Sequence, residues 1–157
     1  MVFGLTVLLA APSVGWLDGG ELVAAAWDLG VSHPPGQPLP TLLWRLAMAI
    51  PLGNIPFRAT LVSGCCAAMA CFPLLVLARD LAGEIETPLA RVMPWLVALP
   101  AALGVATLTQ AVRTEVYAIQ LLLALVVLAA ASAAWRGDAP GRARAALVVT
   151  AALGLSG

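Results

Sequence analysis

The chain has 157 residues, 62% hydrophobic and 10% charged, where soluble domains carry roughly 45–50% and about 25%. Eight basic and eight acidic residues cancel and aromatics reach 6%, so the positive field and basic–aromatic platform of a nucleic-acid binder are both missing. Cys65, Cys66 and Cys71 crowd into one apolar stretch with no histidine beside them; they read as small packing residues rather than a disulfide framework or zinc site.

This is the composition of an all-α, polytopic transmembrane helical protein. Residues 1–11 are apolar but shorter than a bilayer crossing, and no basic n-region of a secretory signal precedes them. Residues 1–12 are therefore expected to be a truncated first transmembrane helix, ended by Pro12. Residues 13–56 are richer in polar and turn residues and predict one extracytoplasmic loop with two amphipathic surface helices. The first covers residues 19–29, after Asp18 as N-cap, with Leu22, Val23, Ala26 and Leu29 as its stripe. Ser32-His33-Pro34-Pro35-Gly36-Gln37-Pro38 is then held extended by its prolines. The second covers residues 39–50, with Leu39, Leu42, Leu43, Leu46 and Ile50 set against Thr41 and Arg45. Trp16, Trp27 and Trp44 fall in this loop, as headgroup-level aromatics do.

Membrane helices are predicted at residues 57–78, 92–109 and 114–135, with a further one starting at 145–157. The break between the middle two contains Gln110, Arg113 and Glu115, which are too polar for the bilayer centre and mark a surface turn or a cavity. Arg79, Arg91, Arg136, Arg142 and Arg144 fall on one side of this map and Arg45, Arg58 and Arg113 on the other. The excess puts the first group in the cytoplasm and the large loop, with the Arg113–Glu115 turn, outside.

Asp18-Gly19-Gly20-Glu21 sets two carboxylates three residues apart at a helix start, with Asp28 continuing the acidic edge. The same spacing is a capping box, in which Asp18 and Glu21 serve only the helix end. His33 is the sole histidine; held by Pro-Pro-Gly, it suits a phosphate contact or proton transfer, or else simply bonds a nearby carbonyl. Arg113, Glu115 and Tyr117 sit at a helix mouth on the face of Asp18, where interfacial anchoring and function are both open.

Four ordered blocks carry a resemblance: Trp16-Leu17-Asp18-Gly19-Gly20-Glu21, His33-Pro34-Pro35-Gly36-Gln37-Pro38, Gly53-Asn54-Ile55-Pro56-Phe57-Arg58 and Thr114-Glu115-Val116-Tyr117. They resemble the transmembrane protein 260-like family, which is similar to protein O-mannosyltransferases of the GT-C glycosyltransferase class. Gly19 and Gln37 stand where that family usually has Ser and often has Tyr. The resemblance implies the N-terminal part of a GT-C-like membrane glycosyltransferase. Such an enzyme takes a sugar from a lipid-linked (polyprenyl-phosphate) donor to a hydroxyl of a protein or glycan acceptor, at the outer face of a bacterial inner membrane and among its lipids. In that reading Asp18 is the general base, with Glu21 as its helper or a sugar contact. His33 with Arg58 or Arg113 faces the phosphate, and Glu115 and Tyr117 complete the wall. No cofactor is called for; Asp18 and Glu21 are the pair that could share a divalent ion. A polytopic transporter segment and an inactive membrane-protein fragment are the alternatives.

Overall fold

The computed structural model describes residues 1–15, 17–33, 36–83, 87–137 and 139–156. Every regular element among them is an α-helix: α1 Val2–Leu9, α2 Gly19–Asp28, α3 Pro38–Met48, α4 Ile55–Ala82, α5 Pro88–Leu103, α6 Val105–Ala111, α7 Tyr117–Arg136 and α8 Ala139–Ser156. Trp16, Pro34 and Pro35, all used in the sequence reading, lie outside the described residues.

α4 is the central post. Asn54 caps it by accepting the Phe57 N–H at 2.9 Å, and Pro56 sits in the first turn, where its missing N–H has no partner to lose. With 28 residues, at about 1.5 Å each, the helix is about 42 Å long, enough to cross a bilayer. Its buried face is a run of small residues, Ala59, Thr60, Ser63, Gly64, Cys66, Ala67 and Ala70, which lets neighbouring backbones approach closely. α1 uses this most directly: a Cβ on Gly64 would sit 2.8 Å from the hydroxyl of the buried Thr6. Two further ties hold the chain leaving α1, the Ala11 N–H to the Val112 carbonyl at 2.8 Å and the Asn54 amide to the Pro12 carbonyl.

α7 runs parallel to α4. Near one end Ser63 bonds the backbone of Glu115; at the other, Arg136 grips Asp80 at 2.5 Å, with Ser132 bonded to both. α5 and α6 make the return run between them, and α8 packs beside α7. α4 and α7 are each long and apolar enough to span a membrane, and α5 with α6 forms a third candidate span bent by 54°. The molecule is an all-helical membrane protein. Phe72, Leu128 and Leu147 are more than half exposed on its sides, where lipid replaces water as the solvent.

The continuous helix expected over residues 92–109 is broken at Gly104, whose backbone is extended (φ −61°, ψ 146°). Gly104 keeps the bend uncrowded, since a Cβ there would lie 3.0 Å from the Pro100 carbonyl, a tight contact. Thr107 donates to the Ala101 carbonyl at 2.7 Å, supplying a partner for a group freed by the bend. α8 starts at Ala139 rather than near residue 145, with Pro140 in its first turn.

The surface helices also differ from expectation. α2 buries Leu22, Val23 and Ala26 as predicted, but Leu29 leaves the stripe as a left-handed C-cap (φ 52°) and is 58% exposed. α3 buries Pro40, Thr41, Trp44 and Met48, while Leu42, Leu46 and Ile50 face outward. Trp44, expected among the headgroups, is wholly enclosed in the core with Leu22, Ala26, Ala59, Ala111, Ala118 and Ile119. α3 has apolar residues on both sides: Leu42, Leu46 and Ile50 stay on the outer one, where a helix lying on a membrane meets lipid, and α4 offers its small-residue face to Trp44. Trp27 does stay half exposed, with the Arg45 guanidinium 4.9 Å from its ring centre.

Candidate functional site

The carboxylates of α2, His33 and the α6–α7 turn converge at one end of the bundle. Asp18 is the N-cap residue of α2, yet its side chain makes no capping hydrogen bond, and its backbone is already helical (φ −78°, ψ −7°). The capping box is therefore not formed. Glu21 turns instead to the His-Pro-Pro-Gly segment. Its Oε1 accepts the His33 backbone N–H at 2.6 Å, and its Oε2 lies 3.2 Å from His33 Nδ1. The Gly36 N–H donates to the His33 carbonyl at 3.0 Å, and Gly36 has φ +83°, a conformation that favours glycine. This presents His33 Nε2 3.9 Å from Asp18 Oδ2.

The hydrogen bond from the His33 backbone, then that from its ring, hold the Glu21 carboxyl below the usual carboxylate range. Glu21 is thus an ionised acceptor, open to solvent along with Asp18 and His33.

Behind this triad lies a second, enclosed layer. Glu115 is 5% exposed and faces Arg113, Nε to Oε1, at 3.6 Å. Burial pushes its carboxyl up; Arg113 opposes that, Asp18 adds to it, and His33 opposes it again. Asp18 and His33 thus lie within electrostatic reach of Glu115, and the Thr114 carbonyl is 3.7 Å from the Cβ position of Gly19. α4 pins the turn from beneath: Thr60 and Thr114 share a hydroxyl bond at 3.2 Å, and Ser63 bonds both the N–H and the carbonyl of Glu115. Arg113 also donates to Gln110 at 3.0 Å.

Of the residues singled out in the sequence, Asp18, Glu21, His33, Arg113 and Glu115 come together here. Arg58 is engaged elsewhere. Its guanidinium donates to the carbonyls of Met48, Leu52 and Gly53 at 2.8–2.9 Å, closing the end of α3 onto α4. Of the two arginines expected at a phosphate, Arg113 is the one beside the acidic groups. Replacing Arg58 by Lys keeps the charge but loses the planar fork. It is expected to lower stability by about 1.5–3 kcal/mol and to expose the α3–α4 connection to protease in a limited-proteolysis time course. Tyr117 heads α7, 55% exposed, and among the described residues makes no polar contact with the cluster. Thr60 and Ser63 were not anticipated; two hydroxyls one turn apart in an apolar helix were the available signal.

A helical membrane protein with carboxylates, an imidazole and a guanidinium gathered at one end of its bundle is equipped for acid–base chemistry at a membrane surface. Residues 18–157 match the family model for the protein O-mannosyl-transferase TMEM260 N-terminal domain, and the chain belongs to that family. A stretch of 84 residues, 53% of this chain, is 40% identical to protein O-mannosyl-transferase TMEM260 of Mus musculus, and it spans 12% of that protein's length. No solved structure matches the chain.

Proposed function

We propose that this chain carries the catalytic face of a membrane glycosyltransferase of the GT-C type. The reaction would move a hexose, mannose by analogy with the mouse relative, from a polyprenyl-phosphate donor to a hydroxyl on the extracytoplasmic side. The observation that supports this best is the meeting of Asp18 and His33 on the first large loop with Arg113 and Glu115 on the α6–α7 turn.

Such a transfer needs a base for the acceptor hydroxyl, a cation for the departing phosphate and shelter from water. Asp18 is the base: solvent-facing, at a helix start and with no capping duty. Arg113, with His33, faces the phosphate. Glu115, enclosed beside Arg113, fixes that guanidinium. Direct displacement inverts the sugar carbon, the acceptor oxygen bonding to it as the phosphate leaves with the electron pair. An apolar cavity of about 190 Å³, lined by Ala67, Cys71, Leu121 and Leu125 among others, opens one turn further along α4 and α7 and suits a lipid chain hung from that phosphate.

The test supplies vesicles containing the chain with polyprenyl-phosphate [³H]mannose and a Ser/Thr peptide. Label on the peptide with the parent chain, and modification from outside of both Asp18→Cys and Tyr117→Cys in separate variants used only for topology, is the expected result. Labelling of those two positions from opposite sides of the bilayer would end the proposal.

A further inference from the structure

Glu21 is the least constrained assignment that the sequence allows, and its geometry is the most specific in the cluster. Its two oxygens receive different partners from one residue, the His33 backbone N–H at 2.6 Å and ring Nδ1 at 3.2 Å. The backbone N–H can only donate. The carboxylate, held ionised by these contacts, can only accept, so the ring nitrogen facing it must carry a hydrogen. In the neutral ring that places the lone pair on Nε2, the atom 3.9 Å from Asp18 Oδ2. That gap is too long for a direct hydrogen bond, and both atoms are acceptors, so it fits a donor hydroxyl between them.

Resting on the glycosyltransferase reading, we infer that Glu21 is a positioning residue: it locks His33 in the Nδ1–H form, so that Nε2 and Asp18 together receive the proton of the acceptor hydroxyl. The hydroxyl O–H bond breaks as its oxygen bonds the sugar carbon, and the sugar–phosphate bond breaks with its electrons leaving on phosphate. The proton passes from Asp18 to Nε2 across one bridging water, the 3.9 Å gap being too long for direct transfer. The resulting imidazolium is held by Glu21 on one side and offers a positive charge to the departing phosphate on the other. Glu21 itself touches no substrate.

A substitution separates this from a merely structural role. In Glu21→Gln the fixed backbone N–H claims the one remaining carbonyl oxygen, and the amide NH₂ then faces Nδ1. An NH₂ donates only to a bare nitrogen, so the ring is driven to the Nε2–H form. Glu21→Asp keeps two acceptor oxygens. Because His33 is the only histidine, [¹⁵N]histidine NMR of the chain in nanodiscs, at a pH where the ring is neutral, reads the tautomer without assignment. The expected pattern is Nδ1–H in the parent and in Glu21→Asp and Nε2–H in Glu21→Gln, with sugar transfer by Glu21→Gln reduced at least tenfold in kcat and KM for the donor within twofold. Nε2–H in the parent overturns the inference even if no variant folds, and so does an unchanged tautomer in Glu21→Gln. The expected tautomers without any detectable sugar transfer by the parent would instead remove the glycosyltransferase reading and leave the positioning geometry standing.

Discussion

Asp18→Asn is expected to lower sugar transfer by about 10²–10⁴-fold, the range for loss of a positioned general base, while the protein inserts and accumulates as before. The second half of this expectation is unusual for a helix-start aspartate. Losing an N-cap normally lowers helix stability by about 1 kcal/mol, but Asp18 makes no capping bond, and α2 is anchored by Leu22, Val23 and Ala26 instead. Asn has nearly the same shape and lacks only the proton-accepting charge. Initial rates with lipid-linked mannose, normalised to protein in the membrane, provide the measurement. Rates within threefold of the parent would remove Asp18 as the base.

The largest effect on stability is expected at Trp44, which is fully enclosed between α2, α3 and α4. Trp44→Ala should lower stability by about 3–5 kcal/mol, through lost burial plus the cavity left behind. The surface helices would come away from α4, taking Glu21 and Asp18 with them. Trp44→Phe is the informative partner. The buried indole Nε1 has no hydrogen-bond partner among the described residues, so an apolar ring loses volume but no polar contact and should cost under about 1.5 kcal/mol. Thermal unfolding in detergent, followed by proteolysis of the 29–37 segment, separates the two. If Trp44 were a headgroup anchor, both variants would melt within a degree or two of the parent and differ only in membrane partition.

α3 shows where reading along the chain reaches its limit. Leu42, Leu46 and Ile50 follow a helical period as faithfully as Thr41, Trp44 and Met48 do, and nothing local states which set faces inward. The choice follows from the shallow face of α4, visible only when Ala59 and its small neighbours are placed opposite. The bend at Gly104 was likewise hidden inside an apolar run: Pro100 and Gly104 mark a possible break, but the hydroxyl of Thr107 that satisfies it lies on the next helix.

Composition and apolar run length alone were enough to establish a helical membrane protein with a polar loop, because a bilayer imposes its own length and polarity on any chain that crosses it. The ionisable residues at the loop and the Arg113–Glu115 turn could be named for the same reason. Their partners could not. The spacing of Asp18 and Glu21 fits a capping box equally well, and Arg58 and Arg113 are equal as charges in a string. Only the folded chain sends Glu21 to a histidine twelve residues away, gives Arg58 to three carbonyls and leaves Arg113 beside Glu115. Hydrogen bonds act over about 3 Å, and which groups come within that distance is decided by how the helices pack.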